Sequence, residues 1–245
     1  MSKAVEYFNN IQKLFSRIVE EQMNNIEAAA RIVADTLENG GRIHAFGTGH
    51  SHILAEEIFY RAGGLVNVNP ILETGLMLHE GAAKSTSLER LEGYGEILFD
   101  MHGLKEKDVL FLFSNSGRNG VAIDLGIIAR EKGVKTVVIT NMEHTMQGKS
   151  RHSSGKKLFE LGDIVIDNCG CIGDASMKIE ALGRNVAPTS TAAGAAILNA
   201  IEARAVELMI NDGFVPEVFS SSNVDGGDEI NNAFVEKYRK EIKSL

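Results

Sequence analysis

Residues 109–117 read VLFLFSNSG, which is five apolar side chains followed at once by a polar turn. Residues 42–51 read RIHAFGTGHS and show a similar arrangement, in which a mostly apolar stretch runs into a glycine-rich turn. Helical patterns follow both stretches, over residues 52–62 and 121–132. A short apolar run bounded by turn residues is typical of a buried strand, and strands that alternate with helices of about ten or more residues pair in parallel. The two stretches therefore predict an α/β fold.

The rest of the chain extends this pattern into a three-layer sandwich with a mostly parallel five-stranded sheet. Further strands are expected at residues 65–68, 135–140 and 164–166. Residues 70–90 are expected to form a long polar segment, and a long helix is expected to begin at Pro188-Thr189-Ser190-Thr191.

The N-terminal segment has a helical pattern of its own. Apolar residues recur every three or four positions over residues 5–37, which predicts two helices divided near Asn24-Asn25. We expect the whole chain to form one domain, because no low-complexity linker or internal repeat interrupts it. Its expected parts are a helical hairpin at 1–40, an α/β core at 41–213 and a tail with a short helix at 214–245.

Composition excludes several classes of function. The 245 residues carry a formal net charge of -8, which argues against a nucleic-acid-binding face. No stretch approaches the roughly 18 apolar residues that a membrane span requires, and the first residues do not have the order of a signal peptide. Two cysteines, Cys169 and Cys171, are too few for a disulfide framework. We expect a cytoplasmic protein without nucleic-acid or membrane partners.

The glycine-rich turn after the first strand is suited to an anion. Ligands of open parallel sheets bind at the carboxyl ends of the strands. Gly47 and Gly49 allow the backbone to approach a ligand, and Ser51 stands where a helix begins, so amides and hydroxyls are available to a phosphate. His50 is a further candidate contact within the same turn.

Two other segments repeat this chemistry. Ser114, Asn115 and Ser116 follow the second strand of the pattern, directly before Gly117. Three more hydroxyls, those of Thr189, Ser190 and Thr191, stand at the start of the long helix. Each segment alone has an ordinary explanation as a helix cap or a turn. Their joint placement at one edge of the sheet favours a binding site.

Known nucleotide fingerprints are not matched. The turn Gly47-Thr48-Gly49 lacks the third glycine of the dinucleotide motif, and the strand after it ends without a carboxylate for a ribose. Gly148-Lys149-Ser150 resembles the end of a P-loop, but Glu143 stands where the first glycine should be. We therefore expect neither NAD nor ATP, and no cofactor.

The order of these segments resembles the sugar isomerase (SIS) domain family, whose fold is flavodoxin-like. The turns GTGHS (47–51) and SNSG (114–117) and the helix start PTST (188–191) match the family's three binding elements, and the resemblance covers residues 33–209. It implies a phosphorylated sugar as ligand. It also implies a homodimer or a dimer of dimers, with sites near the subunit interface. The phosphate contacts that it implies are Ser51, Ser114, Ser116 and Thr191.

Within the family, the layout resembles phosphoheptose isomerases and N-acetylmuramate-6-phosphate etherases most, and also a bacterial group without a settled activity. Both enzyme groups place a catalytic glutamate about three turns into the helix after the first turn. Counting from Ser51, that position here is Arg61. The family's catalytic assignment therefore does not transfer directly to this chain.

Three residues remain candidates for chemistry. Isomerisation through an enediol and elimination of an ether side chain both need a carboxylate or histidine that exchanges protons near neutral pH. Glu57, His79 and Glu80 lie in segments that are expected near the site. The leading hypothesis is an aldose–ketose sugar-phosphate isomerase. The alternatives are an amino-sugar-phosphate lyase and a non-catalytic phosphosugar sensor.

Histidines around the first turn raise the question of a metal. His44, His50 and His52 alternate along the chain, and alternating histidines can chelate a metal ion. No third ligand stands at a useful spacing, so we expect no metal site. The spacing of Cys169-Gly170-Cys171 is not that of a redox motif, and both cysteines are expected to be ordinary thiols.

Overall fold

The computed structural model describes residues 1–245 and contains a five-stranded sheet and a separate two-stranded hairpin. The sheet strands are β1 (Ile43–Gly47), β2 (Val68–Pro70), β3 (Val109–Phe113), β4 (Lys135–Thr140) and β5 (Ile164–Asp167). They lie in the order β2-β1-β3-β4-β5, and every neighbouring pair is parallel. The hairpin consists of β6 (Ala175–Ile179) and β7 (Arg184–Pro188), which pair antiparallel.

Eight helices surround these strands. They are α1 (Lys3–Glu38), α2 (His52–Glu57), α3 (Ala82–Leu88), α4 (Tyr94–His102), α5 (Gly120–Glu131), α6 (Met142–Gln147), α7 (Ser190–Asn211) and α8 (Gly227–Tyr238). None of them is both long and apolar enough to cross a membrane.

The apolar run of β3 is explained by burial on both faces of the sheet. Phe111 and Phe113 pack into the core under α1 and α7, whereas Leu110 and Leu112 pack into the core under α4 and α5. Neither face of this strand is exposed to water, so alternation between apolar and polar residues is not required. The predicted parallel α/β sandwich is confirmed.

The predicted N-terminal hairpin is wrong, because α1 is one continuous helix of 36 residues. Asparagine disfavours a helix by less than about 1 kcal/mol, and the segment contains no glycine or proline that would stop it. The side chain of Asn25 donates to Oε1 of Gln22 at 3.1 Å within the helix. Ile18, Ile26 and Val33 are buried along one side, so packing against the core keeps the helix continuous past residues 24 and 25.

The chain after the first turn also differs from the prediction. Helix α2 ends at Glu57 rather than at residue 62, and the short strand begins at Val68 rather than at residue 65. Residues 63–66 are instead held by the C-terminal tail, where the amide of Gly63 donates to the carbonyl of Phe219 at 2.8 Å. Pairing with such a distant segment gives no local signal in the sequence.

Three elements were not expected. Helix α3 lies within the segment that was predicted to be a long polar loop, helix α6 follows β4, and the β6–β7 hairpin lies between β5 and α7. Most hairpin residues are exposed or half-buried, so their sequence lacks the alternation of a strand with one buried face.

A buried polar cluster links β1 to the turn before β3. His44 and Asp108 are both almost completely buried, with Nε2 of His44 3.2 Å from the Asp108 carboxylate. Burial alone would raise the pKa of Asp108, but hydrogen bonds from His44 and from the amides of Lys105 and Arg42 lower it overall. The nearby His102 has its pKa lowered to about 4, first by burial and then by the charges of Lys243 and His44.

The lowered pKa of His102 leads us to expect that the stability of the fold depends on pH. Its folded pKa of about 4 lies below the ordinary value of 6.5, so the unfolded chain binds this proton more readily. The free energy of unfolding is therefore unaffected by this group above pH 6.5, and it falls as the pH drops from 6.5 toward 4. We expect His102→Gln to reduce the fall in unfolding free energy over that range, measured by urea denaturation. His50→Gln, at an exposed position, is the control. An unchanged slope in His102→Gln would contradict the assignment.

Candidate functional site

The two predicted turns begin side by side. Gly47 at the end of β1 is the register partner of Phe113 at the end of β3, so both turns leave the same edge of the sheet. A small cleft at this edge is lined by Ser51, Leu54, Phe113, Ser114, Asn115, Ile139, Asn168, Ser190 and Thr191. Five of the residues proposed from the sequence are thus brought together from three separate segments. None of the nine lining side chains is acidic.

Glycine is required at two points of these turns for different reasons. A Cβ atom on Gly47 would lie 2.5 Å from the backbone of Ser51, because the turn folds back onto its own first residue. Gly117 has a φ of 58°, and a Cβ atom there would also lie 2.8 Å from Oγ1 of Thr145. Close approach of the backbone therefore shapes both turns.

The hydroxyls of Ser51 and Ser114 are both available to a ligand. Oγ of Ser114 accepts a hydrogen bond from the amide of Gly117 at 3.1 Å, which leaves its own hydrogen free to donate. Ser51 precedes α2, but its hydroxyl makes no cap hydrogen bond to that helix. The ordinary explanation of Ser51 as a helix cap therefore does not apply in this structure.

A relay of amide side chains orients Asn115. The backbone amide of His144 donates to Oδ1 of Asn141 at 2.7 Å, which fixes the direction of that side chain. Asn141 then donates to Asn168 at 3.0 Å, and Asn168 donates to Oδ1 of Asn115 at 2.7 Å. Because each oxygen in the relay is an acceptor, the amide nitrogen of Asn115 remains as a donor at the cleft.

The start of α7 is occupied by a carboxylate. Asp174 accepts hydrogen bonds from the amides of Thr189 and Ser190 at 3.0 and 2.8 Å, and from the Ser190 hydroxyl at 2.5 Å. Thr189 is buried, and Ser190 reaches the cleft with its donors already used. Thr191 is therefore the hydroxyl from this segment that is best placed for a ligand. Asp174 was missed by the sequence analysis, since no local motif couples it to the helix.

Other residues of the two turns lie near the cleft without lining it. Gly47 and Gly49 shape the first turn through their backbone, and Gly49 has a φ of 55° with open space around its Cα. His50 is exposed, and Ser116 is half-buried in the second turn.

Glu57 does not line the cleft. Its carboxylate pairs with Arg61 and accepts a hydrogen bond from the side chain of Asn199 at 2.9 Å. Asn199 lies about 12 Å along α7 from Thr191, at the helical rise of 1.5 Å per residue. Arg61 itself stands beyond the end of α2, so a count of three helical turns from Ser51 presupposes a longer helix than this chain forms.

The other two catalytic candidates lie outside the cleft. The ring of His79 stacks edge-on against His52, with 5.4 Å between the ring centroids. Glu80 pairs with Lys84, and hydrogen bonds from Lys84 and then Thr74 lower its pKa. A carboxylate that is held ionised in this way is a weak base. Neither residue lines the cleft.

The cysteines carry protonated thiols. Burial raises the pKa of Cys169 to about 11, and the negative charge of Asp167 adds to this effect. Burial also raises the pKa of Cys171. Thiols with such values are poor nucleophiles at neutral pH, in keeping with the expectation from their spacing.

Comparison with known proteins identifies the family. A SIS domain family model matches residues 6–141. A UPF0309 protein from Listeria innocua is 48% identical over 239 residues, which are 98% of this chain and 97% of that protein. Another from Geobacillus thermodenitrificans is 45% identical over 240 residues, which are 98% of this chain and 96% of that protein. The chain belongs to the SIS domain family.

Solved structures agree on the fold of this SIS domain. The phosphoheptose isomerase of Neisseria gonorrhoeae is similar with a TM-score of 0.53 and 15% identity, over 85% of this chain and 97% of that one. The phosphoheptose isomerase of Francisella tularensis is similar with a TM-score of 0.53 and 17% identity, over 84% of this chain and 100% of that one. At such identities the likeness shows the fold alone. The resemblance proposed from the three binding segments is confirmed.

The SIS domain also holds a cationic group that the sequence analysis missed. Arg90, Arg118 and Arg151 come from three separate segments, and the backbone amide of Arg151 donates to the carbonyl of Arg118 at 2.9 Å. Burial, followed by the positive charges of Arg118 and Arg90, lowers the pKa of Arg151. The group borders the first turn, since Glu89, next to Arg90, accepts a hydrogen bond from Thr48 at 2.9 Å.

The geometry of the first turn predicts that alanine is more destabilising at Gly47 than at Gly49. In Gly47→Ala the new methyl would meet the backbone of Ser51, and we expect a loss of about 3 kcal/mol in unfolding free energy. In Gly49→Ala the new methyl meets open space, and only the positive φ is unfavourable. We therefore expect a loss of about 1 kcal/mol in unfolding free energy. Urea denaturation of both variants measures the difference. Equal losses, or a larger loss in Gly49→Ala, would contradict the geometry of the turn.

Proposed function

We propose that this protein binds a phosphorylated sugar in the cleft between the two turns and the start of α7. The observation that carries the proposal is the convergence of donors from Ser51, Ser114, Asn115 and Thr191 on a cleft without acidic lining residues. Hydroxyl and amide donors suit a phosphate, and hydrogen bonds to a charged acceptor are stronger than those to a neutral one. Family membership supports the same ligand class.

The charge distribution supports an anionic ligand as well. The chain as a whole carries a charge of -8, which repels anions at long range. Arg90, Arg118 and Arg151 concentrate positive charge beside the second turn, and Nε of Arg118 is buried without a hydrogen-bond partner in the protein. This positive charge, which Glu89 offsets in part, lies next to the second turn and would favour an anion there.

For the reaction we propose aldose–ketose isomerisation, with Glu57 as the base. Leu54 lines the cleft, and Glu57 lies three positions further along α2, so the two side chains project from the same side of the helix. The pair with Arg61 and the hydrogen bond from Asn199 hold the carboxylate in place and direct it toward α7. His79 is less suited because it packs against His52 on the other side of α2, and Glu80 is less suited because its hydrogen bond from Lys84 lowers its pKa.

A non-catalytic sensor is the second candidate. The observation in its favour is that the cleft is lined without a single titratable side chain. A site that only recognises a phosphosugar needs donors and shape, whereas isomerisation also needs a group that moves a proton. Elimination of a side chain from an amino-sugar phosphate needs the same base and an additional acid.

We further propose that the protein works as a homodimer or a dimer of dimers in the cytoplasm. Phe8 and Val19 on α1 are 68% and 61% exposed, and their spacing of 11 residues, about three helical turns, puts both on one face of the helix. A second copy of the chain that covers α1 would remove this surface from water.

The binding site is tested by removing its hydroxyls. In Ser51→Ala and Ser114→Ala we expect phosphosugar affinity to fall about 5- to 150-fold each, since a lost hydrogen bond to a charged group costs roughly 1–3 kcal/mol. Isothermal titration against a panel of sugar phosphates and their unphosphorylated counterparts measures this. Ser87→Ala is the matched control, because Ser87 lies on α3 and bonds only to Ala83. Unchanged affinity in both site variants would overturn the proposed site.

The reaction is tested in heavy water with a sugar phosphate that binds. Isomerisation through an enediol exchanges the proton next to the carbonyl, so deuterium should appear at that carbon in the NMR spectrum. We expect Glu57→Gln to abolish incorporation and to leave affinity unchanged, whereas Glu131→Gln, on the exposed end of α5, should retain both. Binding without exchange in the unmodified protein would support the sensor instead. Exchange that persists in Glu57→Gln would move the base elsewhere.

A further inference from the structure

Three side chains outside the cleft come together in a way that the proposed function does not use. The ligand atoms of His52, Glu56 and His79 all lie within 4.8 Å of one another. His52 and Glu56 are one turn apart on α2, and His79 comes from the segment between β2 and α3. His79 is thus the third ligand that local spacing did not reveal, because the fold brings it from another segment.

The distances match those around a tetrahedral ion. Nε2 of His52 lies 3.4 Å from Oε1 of Glu56. Two ligand atoms bound to zinc, each at about 2.05 Å from the metal, are separated by about 3.4 Å in a tetrahedral site. The His52 and His79 ring centroids are 5.4 Å apart, and two imidazoles on one tetrahedral zinc are expected at about 5.2 Å. Since all three ligand atoms lie within 4.8 Å of one another, an ion would draw any pair together by no more than about 1.4 Å.

The hydrogen-bond geometry of His52 also points to a cation. Its ring is 5% exposed, and Nδ1 forms a short hydrogen bond with the carbonyl of Gly49, which can only accept. Nδ1 therefore carries the hydrogen, and in a neutral ring Nε2 carries a lone pair. That lone pair faces the Glu56 carboxylate, so two acceptors stand 3.4 Å apart. A metal ion between them resolves this contact, and a backbone carbonyl on the other ring nitrogen is the usual support of a histidine ligand.

We propose that His52, Glu56 and His79 form a binding site for a zinc-class divalent cation. Two imidazoles and one carboxylate are donors that favour zinc over magnesium or calcium, which prefer oxygen ligands alone. Glu56 and His79 are exposed, so a fourth position is open to water.

The site is separate from the phosphosugar cleft and has a different consequence. Leu54 faces the cleft, and His52 lies two positions earlier, about 200° around the axis of α2. The ion therefore joins α2 to the segment that carries His79 rather than contacting the sugar. Since Ser51 is the residue before His52, a bound ion fixes the end of the first turn.

Zinc titration of the metal-free chain tests the site without any sugar, so its result is independent of the proposed function. The protein is treated with a chelator, exchanged into clean buffer and titrated with zinc against a chromogenic chelator. We expect one high-affinity zinc per chain, no comparable binding of magnesium, and a rise in Tm on adding zinc. His79→Ala and Glu56→Gln change exposed side chains, so both are expected to fold, and each should weaken zinc binding at least about tenfold.

Matched controls change a neighbour of each ligand. His50→Ala removes an exposed histidine of the same turn, and Glu57→Gln removes the carboxylate next to Glu56. Both should bind zinc as the unmodified chain does. Zinc binding that is equal in the ligand variants and the unmodified chain would overturn the site. Absence of binding would also overturn it.

Discussion

The parallel pairing of β1 with β3 is the constraint on which the binding region depends. It sets Gly47 opposite Phe113, so the turns that carry Ser51 and Ser114 leave the sheet at the same height. A slip by one residue would turn every side chain of β3 to the opposite face. Phe111 would then have to fit the core under α4 and α5, where Leu110 and Leu112 now pack. Core packing on both faces thus fixes the relation between the two turns.

Much of this arrangement is encoded locally. Apolar runs such as 109–113 identify the strands, and turn residues mark where they end, so the fold and the edge of the sheet that carries the cleft were predictable from the sequence. The continuity of α1 was not predictable, because asparagine at residues 24 and 25 permits either a turn or a helix. Burial of Ile18, Ile26 and Val33 against the core decides in favour of the helix. Such packing depends on segments that are distant in the sequence.

The site shows the same division between what local sequence determines and what the fold adds. The turns around Ser51 and Ser114 were found from their residue types, but the state of each donor was not. Asp174 uses the donors of Ser190, and Asn168 leaves Asn115 as a donor, through contacts between separate segments. The family position at Arg61 fails for a related reason, since α2 ends at Glu57 and residues 63–66 pair with the distant C-terminal tail.

Helix α2 connects the two sites that the structure suggests. One side of it carries Leu54 and Glu57 toward the cleft and α7, and the other side carries His52 and Glu56 toward His79. With only six residues, the helix has few internal hydrogen bonds and depends on its neighbours for a fixed position. An ion on one side would therefore restrict the motion of the other. Ordering Ser51 before a sugar arrives lowers the entropy lost on binding, so metal and phosphosugar would each favour the binding of the other.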